Sequence, residues 1–191
     1  VVARGLELTS LEAVANGAGL SQAALRHYFP TREKLLFSFF IAASHWFRRQ
    51  VTGLLKAGNL PARDKLESCL SWHLEYMEHV DTAFWLEASA YWIRHPQPRQ
   101  TRDQFYRWLM QQYARLIGDM RPGLGRTECN RRAYALLTLV LGAWITHGKG
   151  SAVFDAGGAP GQRRLLLDTA MAIITRWQPA GPDPGRRPAP C

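Results

Sequence analysis

The chain has 191 residues and a mass of 21.6 kDa, the length of one compact domain or of a small domain joined to a larger one. Hydrophobic residues make up 47% and charged residues 20%, which excludes global disorder and supplies a core. Lys and Arg number 24 against 15 Asp and Glu, a formal +9 that implies a polyanionic or membrane-surface partner.

The most apolar run, Ala133 to Thr146, is short and broken by Thr138 and Gly142, so a membrane span is not expected. Cys69, Cys129 and Cys191 are scattered and share no CxxC spacing. That excludes a disulfide scaffold or zinc ribbon and fits a reducing cytoplasm. The opening residues, Val1 to Gly5, read as the end of a helix, so most of a first helix is expected to precede them.

Helical periodicity runs through the chain and strand signals are nearly absent. Thr9-Ser10-Leu11-Glu12 reads as a capping box, with the Thr9 hydroxyl accepting an amide proton and Glu12 reaching back. A short helix follows to Asn16, and Gly19 breaks it. Ser21 caps a second short helix, Gln22 to Tyr28. Pro30-Thr31 opens a long helix to Ala57. Gly58 to Pro61 separates it from a helix over 62–79. Asp81 caps a helix ending near His95, and His95-Pro96-Gln97-Pro98 reads as a double-proline break. Further helices are predicted over 99–120, 127–148 and 162–177, and the proline-rich tail 178–191 is expected to be disordered. The predicted fold class is all-α, about nine helices, the short ones first.

Residues 9 to 29 have the pattern of a helix-turn-helix. Ala15 permits close approach of two short helices and Gly19 permits the turn. Val14, Leu20 and Leu25 are the predicted small core. The N-terminal residues of the second helix would enter a major groove.

The wider string is more specific. Thr9 to Ala15, then Ala18-Gly19-Leu20-Ser21, then Leu25-Arg26-His27-Tyr28-Phe29-Pro30-Thr31-Arg32-Glu33-Lys34-Leu35, resembles the DNA-binding domain of the TetR family of bacterial transcriptional regulators. The resemblance implies an all-α homodimer with a DNA-binding head over 1–36 and a ligand-binding and dimerisation domain over 37–177. Carried over position by position, it implies that Ser21 starts the reading helix and Gln22 reaches a base edge, since Gln pairs with adenine. Ala23 and Ala24 would let the backbone approach and touch thymine methyls. Arg26 stands where the family usually has Tyr, which leaves guanine reading and phosphate gripping both open. His27 is a second reader. Tyr28 and Arg32 match phosphate-gripping positions, and Thr9 or Ser10 adds backbone contacts, with Thr9 equally readable as a helix cap. Leu25 and Phe29 read as core, and Lys34 as solvated surface.

The middle of the chain is rich in aromatic residues. The segment from Phe84-Trp85-Leu86-Glu87-Ala88 through Ile93-Arg94-His95-Pro96 to Phe105-Tyr106-Arg107-Trp108 resembles the C-terminal domain of choline-responsive repressors of the same family. Residues 61 to 90 hold two bases against six acids. An acidic, aromatic stretch suits a cation held by ring faces and a carboxylate. The candidate ligand-binding residues are Trp72, Tyr76, Trp85, Glu87, Tyr91 and Trp108, for a small cationic or aromatic effector. The competing reading is that these rings are core and the acids solvated.

The segment Tyr134 to Ile145 is apolar all round and is predicted to be buried on every side. With the helix over 162–177 it matches the place where the family builds a four-helix bundle across a two-fold axis. The alternative is core within one chain.

Catalytic patterns are missing. The six histidines show no HxxxH or HExxH spacing, and no phosphate loop or nucleophile elbow is present, so no enzyme activity, metal or cofactor is expected. The reading is a DNA-binding regulator, a repressor released from its operator by a small molecule. The alternatives are a ligand-binding or protein-interaction module with a degenerate reading head, and a helical enzyme with an aromatic cavity. Charge agrees with the first: residues 1 to 60 hold seven bases and three acids, a net surplus around the reading head.

Overall fold

A computed structural model describes residues 5–6, 9–151 and 159–176. Among these residues there are eight helices and no strand. The helical end expected at Val1 to Gly5 lies, apart from Gly5, outside the described residues, as does the tail 178–191.

The helices are α1 (Leu11–Gly17), α2 (Gln22–Tyr28), α3 (Arg32–Lys56), α4 (Ala62–Met77), α5 (Thr82–Arg94), α6 (Pro96–Met120), α7 (Arg126–Thr146) and α8 (Ala159–Thr175). Side-chain caps set four of the eight starts. Ser21, Thr31 and Asp81 accept the amides of Ala24, Lys34 and Ala83 at 3.1, 3.2 and 2.7 Å.

Two starts differ from the sequence reading. The cap of α1 is Ser10, whose Oγ accepts the Ala13 amide at 3.0 Å. Thr9 does not cap: its hydroxyl donates to the Gly5 carbonyl at 2.6 Å. The chain breaks at His95 between α5 and α6 as expected, but α6 starts at Pro96 and not at Arg99, because Pro96 and Pro98 lie in its first turn. A missing N–H costs nothing there, since those donors lack helical partners anyway.

The main core gathers residues from α3, α4, α6, α7 and α8. Leu66, Met77, Tyr113, Ile117, Leu136 and Ile174 are all fully buried. Two arginines fasten the end of α8 to it. Arg132, paired with Glu128 at 2.9 Å, donates to the Ile174 carbonyl, and Arg121 donates to the Thr175 carbonyl at 3.0 Å. Cations on the last carbonyls of a helix also oppose its dipole. The α4–α5 junction is tied to the end of α7 by backbone bonds, Thr82 N to Lys149 O at 3.0 Å and Lys149 N to Val80 O at 3.1 Å.

A second, smaller cluster joins the head to the body: Leu6, Leu36, Phe40 and Ala88. The long helix α3 runs through it, so head and body share a continuous element.

Burial corrects the reading of α7. The helix is not apolar-buried on all sides: Tyr134 is 65% and Ile145 49% exposed, with Thr138 and Gly142 exposed between them. These positions are four or three apart and form one stripe along the helix.

Candidate nucleic-acid interface and effector cavity

The turn of the helix-turn-helix is a Schellman motif. Gly19, at φ +67°, follows the C-cap Ala18. The Leu20 amide donates to the Ala15 carbonyl at 2.9 Å and the Gly19 amide to Asn16 at 3.3 Å. Ala15 and Leu25 are buried at the crossing, 1% and 4% exposed. Leu20, predicted as core, is 47% exposed. Its backbone serves the turn, and its side chain is left largely to solvent.

The fold then sorts the predicted contact residues. Gln22, Ala23, Ala24, Arg26 and His27 are all exposed on α2. Residues at 22, 23, 26 and 27 share one helical face, opposite the buried Leu25. Tyr28 is 73% exposed and meets His27 edge-to-face at 5.3 Å. Ser10 and Ser21 are exposed, but their hydroxyl oxygens already serve as caps.

Two predicted contacts are placed elsewhere. Thr9 is 4% exposed and its hydroxyl is engaged with Gly5, so it has no free group for a phosphate. Arg32 is half-buried and turns inward: Nε donates to the Thr9 carbonyl at 2.7 Å and Nη2 to the Leu6 carbonyl at 2.5 Å. It is a clamp on the segment leading into α1. The sequence pattern places an arginine there but carries no sign of the two carbonyls it holds.

Glu87 belongs to the same joint. Its Oε2 accepts the Leu6 amide at 2.6 Å, and Gly5 lies so close that a Cβ there would stand 2.8 Å from that oxygen. Glu87 thus spends one oxygen on the head segment and does not line the body cavity. Tyr91 is also at the joint, stacked on His95 at 4.1 Å and against Phe40 at 5.4 Å. Glu33 stands nearby at the start of α3. Its carboxyl is held below the usual range by the helix-terminal backbone amide and the Thr31 hydroxyl.

In the body, a cavity of about 70 Å³ lies among α3, α4, α5, α6 and α7. Of the six predicted ligand residues only Trp85 lines it. Trp72 and Tyr76 instead pack with Trp46, at 5.7 and 5.2 Å. Trp108 lies under the Arg48 guanidinium at 4.9 Å. The rings that do surround the cavity include Phe47, Trp92, Phe105, Tyr106 and Trp144. Helical periodicity identifies them as inward-facing but cannot tell a filled core from a hollow one.

The ionisable side chains of the lining are His73, Arg102 and Tyr106. His73 is buried, and Nδ1 bonds the Cys69 carbonyl at 2.9 Å, which makes Nδ1 the protonated nitrogen and Nε2 an acceptor. Burial pulls its pKa down to about 4, so the ring is neutral. Arg102 lines the rim, bonded to Asp103 through Nε at 2.9 Å and Nη2 at 2.6 Å. Burial also pushes the Tyr106 phenol up, keeping it protonated. No group of three His, Cys, Asp or Glu able to hold a metal occurs among the described residues.

Residues 2–39 match the family model for bacterial regulatory proteins of the tetR family. Three solved structures share the fold. A protein of Pseudomonas aeruginosa PAO1 assigned as a transcriptional regulator superposes with a TM-score of 0.73 at 16% identity, covering 88% of this chain and 81% of that one. A TetR transcriptional regulator from Legionella pneumophila gives 0.68 at 13% identity, covering 87% and 88%. A regulator of the TetR/AcrR family from Thermobifida fusca YX-ER1 gives 0.60 at 15%, covering 92% and 91%. No curated protein sequence matches the chain.

A helix-turn-helix head is carried on an all-α body. The head is similar to the tetR family model over the matched residues, and the whole chain shares its fold with these solved structures. No helix among the described residues is long and apolar enough to cross a membrane.

Proposed function

We propose that the chain works as a homodimeric repressor whose hold on operator DNA is released by a small molecule bound in the body cavity. The observation that carries the DNA part is the face of α2. Gln22, Ala23, Arg26 and His27 stand exposed together, on a helix fixed from below by Leu25 and Ala15. Such a face fits a major groove, and two copies in a dimer would read half-sites about one DNA turn apart, roughly 34–36 Å. Arg26 and Tyr28 then set affinity through phosphates or bases, while Gln22 and His27 set sequence.

The exposed stripe of α7, with Leu165 of α8 at 67% exposure, supports pairing of two copies across these helices. Tyr134, Ile145 and Leu165 are large apolar side chains left exposed on these two helices, as an interface requires. The domain division near residue 36 falls inside α3, so head and body move as one lever.

Helix α5 supports coupling between effector and DNA. Trp85 and Trp92 line the cavity, while Glu87 and Ala88 hold the head segment through Leu6. A cavity of about 70 Å³ is smaller than the roughly 300 Å³ at which drug-sized pockets begin, so a ligand has to displace its lining. The displacement shifts α5 and hence the head, to the extent that the ligand prefers that state.

The test is fluorescence anisotropy of the chain on DNA from the region upstream of its own gene, against random DNA, over a salt series. Sequence preference with a steep salt slope is expected. Replacing Gln22 and His27 by Ala should cost about 1–3 kcal/mol each and flatten the preference. Equal binding to random DNA sinks the reading. Unchanged affinity of the double variant favours a ligand-binding module with a degenerate head.

A further inference from the structure

The cavity's lining is aromatic and apolar, and its charge is one-sided. It contains no carboxylate, and its only permanently charged side chain is Arg102. The nearest acid on its own helix, Asp103, is 44% exposed outside the lining and already bonded to Arg102. That bond uses the Nε and part of the Nη2 side of the guanidinium. A guanidinium has five N–H donors, so the Nη1/Nη2 end, the fork that matches a carboxylate, remains unspent on Asp103. Arg102 also lies 5.9 Å from the Tyr106 ring centroid, so a resident cation already occupies one ring face of the lining. His73, neutral, adds an acceptor and no positive charge.

Size narrows the ligand further. An apolar cavity of about 150 Å³ accepts benzene, so the cavity here must roughly double to take one ring. The half-buried Trp85, stacked on Trp144 at 4.3 Å, is the side chain with room to give way.

We propose that the effector is a single-ring aromatic acid, its ring seated against Trp85, Trp92 and Phe105 and its carboxylate paired with the Nη1/Nη2 edge of Arg102. This rests on the reading of the cavity as the effector site, and replaces a cationic ligand at Glu87. The ring takes the place of the Trp85–Trp144 stack, and the carboxylate pairs with the guanidinium edge that Asp103 leaves open.

The probes are benzoate, benzyl alcohol and benzyltrimethylammonium, titrated by calorimetry into the chain, with tryptophan emission recorded in parallel. Benzoate should bind and change the emission, and the ammonium should give no binding heat. Arg102→Gln should weaken benzoate at least tenfold while leaving benzyl alcohol unchanged, and Arg102→Lys should restore part of the loss. Ala43→Phe, which fills the cavity from α3, should abolish binding of both. If the ammonium binds more tightly than benzoate, or Arg102→Gln leaves benzoate unaffected, the acid class is overturned while the effector cavity stands. If Ala43→Phe leaves benzoate binding intact, the ligand sits elsewhere and the proposal fails. No heat from any probe overturns both the acid class and the cavity as effector site.

Discussion

Arg32 separates two accounts of the reading head. As a phosphate contact it would add to DNA affinity and leave the fold alone. In the structure it donates to the carbonyls of Thr9 and Leu6 at 2.7 and 2.5 Å. Hydrogen bonds to charged groups contribute about 1.5–3 kcal/mol each, and two of them set an upper range of roughly 3–6 kcal/mol. The residue is only half-buried, and water can reach a released carbonyl, so about 2–3 kcal/mol is the expected net loss for Arg32→Gln. For a chain of this length each kcal/mol moves Tm by about 2–4 °C, so a drop of roughly 4–12 °C follows if the head unfolds with the body. Calorimetry checks the Tm. Anisotropy over a salt series checks the DNA slope, which should stay unchanged once the head is folded. A slope lower by about one with Tm unmoved is the signature of a lost phosphate contact, and that result refutes the clamp.

Further variants probe other joints. Gly148→Ala would place a Cβ 2.6 Å from the Thr82 hydroxyl and 2.9 Å from the Trp144 carbonyl, so urea unfolding should show a loss of about 1–3 kcal/mol. Gly19→Ala forces a side chain into φ +67° and should cost about 1–2 kcal/mol in head stability, read by hydrogen exchange in α1 and α2. His73 has a folded pKa of about 4, below its unfolded value near 6.5. The unfolded chain therefore binds the extra proton first, and stability falls as pH drops from about 6.5 to 4, then levels. The loss is of order 3 kcal/mol and should be missing from His73→Gln in melting curves across that range; equal slopes for both proteins would contradict it. Tyr134→Glu on the α7 stripe should shift the chain toward monomer in light scattering without lowering helix content.

The regular parts of the molecule were legible because they depend on neighbours in sequence. Ser21, Thr31 and Asp81 cap the helices they precede, and Gly19 makes the turn that its position implies. The break at His95 was legible, but the next helix was started three residues late, because proline is tolerated in the first turn of a helix and spacing alone does not place that turn. The aromatic residues of 72–108 were recognisable as inward-facing, yet Trp72 and Tyr76 fill space while Trp92 and Phe105 border a void. That difference depends on partners from α3 and α7, distant in the chain. Glu87 and Arg32 were misplaced for the same reason: their partners are the backbone of Leu6 and Thr9, which no side-chain pattern advertises.

The sequence by itself determined an all-α chain with a helix-turn-helix, similar to that of the TetR family, in its first third. Helix periods, caps and turn glycines act over a few residues, and charge adds up along the chain. Only the tertiary structure decided what the shared aromatic and charged residues do. Packing of five helices turned one group of rings into a cavity with Arg102 at its rim, and α5 placed Trp85 on that cavity and Glu87 on the head. Burial and long-range hydrogen bonds are properties of several segments at once, so they exist only after the segments have met.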